Sequence, residues 1–209
     1  MSWKKLAALL AVLGLALTAT HAADEAKKTK SVDDEGFILN WLLLAPFPLP
    51  DGQSQADAID KEQVKDEAKL DPKAGDKVKA GEKELVWKKF TAEDTYMFDF
   101  NKMLGEVKEQ AVGYAVTTIM ADDDKKDVTL KIGSDDGFKI WLNGKEIGKG
   151  TDDRAIDKDQ NSIEKVTLKK GANVLVFKVG NGIQEWTGAA RFVDASDKPV
   201  KGLTAEFKK

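Results

Sequence analysis

The sequence contains no cysteine, a single histidine (His21) and only two arginines, Arg154 and Arg191. Without cysteine there are no disulfides, no thiolate nucleophile, no Cys-ligated zinc, haem or iron–sulfur centre, and no cysteine to carry a lipid anchor. Stability then has to come from burial of apolar surface. The scarcity of arginine disfavours bidentate phosphate and guanine recognition. The charge balance points the same way: 36 acidic against 33 basic residues, and a nucleic-acid binder should be basic. Proline is also sparse, and three of the five fall within Pro46–Pro50.

The first 22 residues have the order of a secretory signal peptide. Lys4 and Lys5 precede the apolar run Leu6–Leu17, and Thr20-His21-Ala22 places small residues at −3 and −1. The run is too short for a membrane span, which needs about 18 or more apolar residues. Cleavage after Ala22 removes His21, leaving a mature chain with neither histidine nor cysteine. It also removes Lys4 and Lys5, so acidic residues exceed basic ones by five. Imidazole-based triads are then excluded. A secreted or periplasmic location is expected, with no membrane insertion after signal removal.

Residues 23–35 are polar and read as a flexible linker, with a single folded domain over 36–209. Phe37–Leu44 is a short apolar run that suits a buried strand, ended by the alternating prolines. Residues 51–83 form a long polar excursion, with helix formers from Gln55 to Leu70 broken by Asp71-Pro72 and Gly75. From Glu84 the pattern is one of strands: 85–87, 96–100, 111–120, 128–132, 138–142, 145–147, 163–168, 172–179 and 185–193. Phe138, Ile140 and Leu142 share one face and Trp141 lies on the other. Asn143-Gly144 joins two alternating runs and predicts a tight hairpin. No helical segments alternate with the strands, so the expected fold is all-β, an antiparallel β-sandwich.

The stretches Gly113-Tyr114-Ala115, Ile132-Gly133-Ser134-Asp135-Asp136-Gly137-Phe138 through Lys145, and Leu168 through Val179 carry a resemblance. They resemble the galactose-binding-like jelly rolls of bacterial secreted glycan-processing proteins. They are also similar to the sugar-binding domain of family-two glycoside hydrolases, and Asp-Asp-Gly before a strand resembles the PA14 sandwich. The likeness covers most of residues 37–193. It implies a jelly roll, and it implies that Asp135 and Asp136 chelate a calcium ion that also holds sugar hydroxyls. Read from the residues alone, Gly133 and Gly137 supply unusual backbone angles and the two aspartates cap the turn.

A second acidic loop runs over residues 151–161. Asp157, Asp159 and Asn161 match positions 1, 3 and 5 of an EF-hand loop, but Ser162 and Leu168 stand where glycine and the bidentate glutamate belong. It is not an EF-hand, though alternating oxygen ligands suit a hard cation. The two acidic loops flank the 138–147 hairpin and are expected to meet at the end opposite Asn143-Gly144. The candidate metal set for calcium is therefore Asp135, Asp136, Asp157, Asp159 and Asn161. The candidate ligand-binding set is Asp135, Asp136, Trp141 and Asn143, with Trp141 available for stacking on a sugar unless the excursion covers it.

These features favour an exported, non-catalytic carbohydrate-binding module with a polysaccharide or glycan as partner. The rivals are a structural or protein-interaction domain of the cell envelope and a carboxylate-based glycan hydrolase or lyase. No spacing selects a carboxylate pair, and no G-x-S-x-G, P-loop or dinucleotide fingerprint is present.

Overall fold

A computed structural model describes residues 30–93 and 95–208. The expected signal peptide and residues 23–29 of the expected linker lie outside them. Among the described residues no helix is long and apolar enough to cross a membrane.

In chain order the elements are β1 (Asn40–Pro48), α1 (Gln55–Asp60), β2 (Lys77–Ala80), β3 (Lys83–Val86), β4 (Lys88–Thr91), β5 (Phe98–Asp99), α2 (Phe100–Leu104) and β6 (Ala111–Ala121). Then follow β7 (Lys125–Asp135), β8 (Phe138–Leu142), β9 (Lys145–Gly150), β10 (Asn161–Leu168), β11 (Gly171–Asn181), β12 (Thr187–Val193) and β13 (Leu203–Glu206). The fold is an antiparallel β-sandwich. One sheet runs β4-β1-β6-β11-β8-β9, with β13 also on β6, the sheet packed on it runs β10-β7-β12-β5, and β2 and β3 pair as a separate antiparallel hairpin.

Alternation along the strands explains how the sheets pack. Trp41, Leu43, Ala115, Ile119, Ile140, Leu175 and Phe177 of the larger sheet face Leu130, Ile132, Ala190 and Phe192 of the smaller one. Trp41 and Phe98 have ring centroids 4.8 Å apart, and Phe98 meets Phe177 edge-on at 5.4 Å. Each such side chain contributes about 2–3 kcal/mol by leaving water.

The outer face of the larger sheet is apolar too: Leu42, Leu44, Val112, Tyr114, Val116, Trp141 and Val176. It is covered by the excursion at 51–87, a strap in which Ala58, Val64, Ala68, Leu70, Val78, Leu85 and Trp87 pack down. Double coverage accounts for the unbroken Leu42-Leu43-Leu44 run. Polar contacts also hold the strap. Asp60 pairs with Lys139 and Lys149 at the surface. Lys178, fully buried on β11, donates to the carbonyls of Ile59 and Lys61 and to Glu67.

That ammonium also bears on where the helix ends. Of the helix formers over 55–70, Gln55–Asp60 form a short helix, and a 3-10 turn, Glu67–Lys69, follows. Lys178 takes the Ile59 and Lys61 carbonyls as the helix closes, a role lysines often fill at helix C-termini. The strand read over 96–100 shrinks to two residues, because the Asp99 carboxylate caps the Lys102 N–H and starts α2. Residues 30–35 are tied to the sandwich. Val32 bridges Ile38, Leu39 N–H donates to Ser31 O, and Ser31 Oγ accepts from Ala205 N.

Candidate functional site

The smaller sheet and the strap converge at one corner, where β7 passes into β8 through Asp135, Asp136 and Gly137. Gly133 and Gly137 are there for space. Neither has positive φ, which corrects the expectation of unusual backbone angles. A Cβ on Gly133 would lie 2.2 Å from Asp157 O, and one on Gly137 would lie 2.4 Å from Gln55 Oε1.

Asp136 brackets three segments. Its Oδ1 accepts from Arg154 N at 2.8 Å and its Oδ2 from Gly182 N at 2.8 Å, while its own N–H donates to Gly180 O at 2.9 Å. Ser134 Oγ donates to Asp136 O. Arg154 donates to Ser134 Oγ and Ser134 O, with its guanidinium over the Phe138 ring. The two acidic loops therefore do meet, and the contact runs through Arg154.

Asp135 is also buried. Burial first, then the neighbouring charges of Asp136 and Glu185, push its carboxyl up to about 7, against an opposing N–H from Ile156. Thr187 faces Asp135 across the β7–β12 ladder, and its hydroxyl is buried without a partner. Asn181 lies between Gly180 and Gly182, which both bond Asp136. It is fully buried, its amide donates to Lys108 O, and its Oδ1 has no partner. In sequence, Gly180-Asn181-Gly182 reads as an ordinary turn between strands. Nothing local distinguishes it, because its neighbour Asp136 is 45 positions away in sequence.

The other sequence candidates lie elsewhere. Asp159 is held by Arg191, which also donates to Glu35 O. Asp157 accepts from Lys158 N, and Asn161 pairs opposite Ile132 at the start of β10. Among the described residues no group of three or more acidic, His or Cys side chains is arranged to hold a metal ion. The five-residue calcium set thus divides, leaving only Asp135 and Asp136 at the corner.

Trp141 does lie on the face opposite Phe138, Ile140 and Leu142, but the strap buries it to 4% exposure, so it offers no surface to a sugar ring. Asn143 sits in the hairpin turn, with φ +51° and Gly144 at +80°. Its side chain accepts from Val174 N and donates to Asn173 Oδ1, which commits it to the turn. A shallow cavity of about 340 Å³ lies beside it, walled by Ala68, Leu70 and Val174.

No family model matches the chain, and no curated protein matches it in sequence.

Proposed function

We propose that this protein is an exported, non-catalytic binding module that takes its ligand at the Asp135–Asp136–Asn181 corner, with calcium as the bound ion and a glycan as the ligand class. One observation carries the reading. Two consecutive buried carboxylates include Asp136, which bonds the backbone on either side of Asn181, whose own amide oxygen is buried with no partner, and hard cations take such carboxylate and amide oxygens as ligands. Each Asp136 oxygen accepts one backbone N–H and keeps a lone pair for a metal. Bound there, calcium would offer open coordination positions to paired sugar hydroxyls. The chain's own part is to hold these oxygens in place.

The leader supports export, and the galactose-binding-like and PA14-like resemblance supports a jelly roll with a sugar ligand. Glycan arrays and calorimetry, each in millimolar calcium and in EDTA, test the reading. The expected result is calcium heat, a raised melting temperature and calcium-dependent glycan signal. A ligand present at a hundredfold excess over Kd stabilises the folded state by about 2.7 kcal/mol. Identical melting curves with no calcium heat would sink it.

A second reading is a structural or protein-interaction domain of the envelope. It is favoured by the sealed outer face: with Trp141, Tyr114 and Val176 under the strap, the larger sheet has no open aromatic platform. That reading predicts no glycan signal in either buffer.

A further inference from the structure

We infer that Gln55, at the start of the strap helix, is a positioning residue for the acidic corner, so that the strap sets the corner's binding geometry. The inference rests on the corner being the binding site. Ser54 caps α1 and forms a capping box with Asp57, which fixes the helix start and directs the Gln55 side chain inward. Gln55 is 2% exposed. Its amide enters a slot that exists only because two residues lack a side chain: a Cβ on Gly137 would stand 2.4 Å from Gln55 Oε1, and one on Gly180 would stand 2.7 Å from it.

Inside the slot, Gln55 Nε2 donates to Thr151 O at 3.0 Å and to Asp153 Oδ1 at 2.9 Å. Gln55 therefore touches the β7–β8 connection, the loop after β9 and the end of β11. Asp136 bonds Arg154, Gly180 and Gly182, residues of two of those segments, and itself belongs to the third. The carboxylate and the amide bracket the same three segments, and Gln55 does so without being one of the three corner oxygens. Outer residues that bond a metal ligand commonly shift metal affinity by 10–100-fold when removed, and Gln55 acts one step further out, through the loop that bonds Asp136.

The test uses the full chain with two variants. Gln55→Met keeps the volume and removes the donor; Gly137→Ala displaces the amide from the other side. Hydrogen exchange in EDTA is read at the amides of residues 151–154 and 180–182, and calcium affinity is read by calorimetry. Both variants should exchange about tenfold faster at those amides, with residues 128–132 of β7 unchanged, and should bind calcium about tenfold more weakly. If Gly137→Ala does not fold, Gln55→Met alone carries both readouts. Unchanged exchange overturns the inference. Faster exchange with wild-type calcium affinity also overturns it, because Gln55 would then be structural only. If the wild-type protein binds no calcium, the cation reading fails and this inference with it; if wild type binds calcium and Gln55→Met binds it equally well, the inference alone fails.

Discussion

Lys178 Nζ lies 3.0 Å from Glu67 Oε2, joining residues 111 positions apart beneath the strap. The carboxylate also accepts from the Tyr114 hydroxyl, and the ammonium sits 5.5 Å from the Tyr114 ring centroid. Burial holds Lys178 below its ordinary value despite Glu67, and burial with Glu67 beside it pushes the Tyr114 hydroxyl up. Removing one partner strands the other. Lys178→Met is expected to cost about 3–5 kcal/mol, and Tyr114→Phe, which removes one donor, about 1–2 kcal/mol. Urea denaturation checks both, and a loss under 1 kcal/mol for Lys178→Met would contradict the latch.

Asp135 makes stability depend on pH in a direction opposite to most carboxylates. Its folded pKa, about 7, lies above the ordinary 3.8. Between those values the folded protein keeps a proton that the unfolded chain has released, so this group's contribution falls as pH rises from about 4 to about 7 and is flat above. In EDTA, Asp135→Asn should remove that fall, leaving the variant relatively more stable at pH 8 than at pH 5 when compared with wild type. Melting temperatures across this range decide it; parallel profiles would show that Asp135 does not titrate there.

The hairpin turn at Asn143-Gly144 requires Gly144 at φ +80°, while a Cβ there would meet nothing closer than 3.5 Å. Strain rather than collision should therefore dominate. Gly144→Val is expected to lower stability by roughly 1 kcal/mol or more, and an unchanged midpoint in urea would refute the turn assignment.

The leader read at residues 1–22 predicts that the exported chain begins at Ala23. Intact mass of the protein recovered outside the cytoplasm is the measurement, and a retained Met1 would rule the reading out.

The inward alternation of Phe138, Ile140 and Leu142 and the Asn-Gly turn were legible in sequence because each is a local pattern: period two, or a backbone angle one residue type tolerates. Of the β2–β3 hairpin only the end of β3 was legible, within the strand at 85–87; the rest was hidden by its own composition. Lys77, Lys79, Lys83 and Glu84 leave Val78 and Ala80 as the inward residues before Leu85, so residues 77–84 read as a polar loop. Lys178 was hidden for the converse reason. In Val-Phe-Lys-Val it looks like an outward residue in a solvated position, and only Glu67 and the strap carbonyls make that position a buried one. The corner was half visible. Asp135-Asp136 stands out as a motif, but Asn181 and Gln55 reach it through tertiary folding alone.

The shared edge of β6 has a consequence for the order of the chain itself. β1 pairs with residues 111–116 of β6 and β13 with 118–121, both antiparallel to it. The last strand thus stops where the first begins, and Asn40 Nδ2 donates across the gap to Ala205 O. Read along that edge, the polypeptide is a nicked ring. A short tether from the end of β13 to residue 30 would close it, and new termini at the open Gly81 turn, where nothing lies within 4 Å of an added Cβ, would give a circular permutant that keeps every strand pair of the two packed sheets.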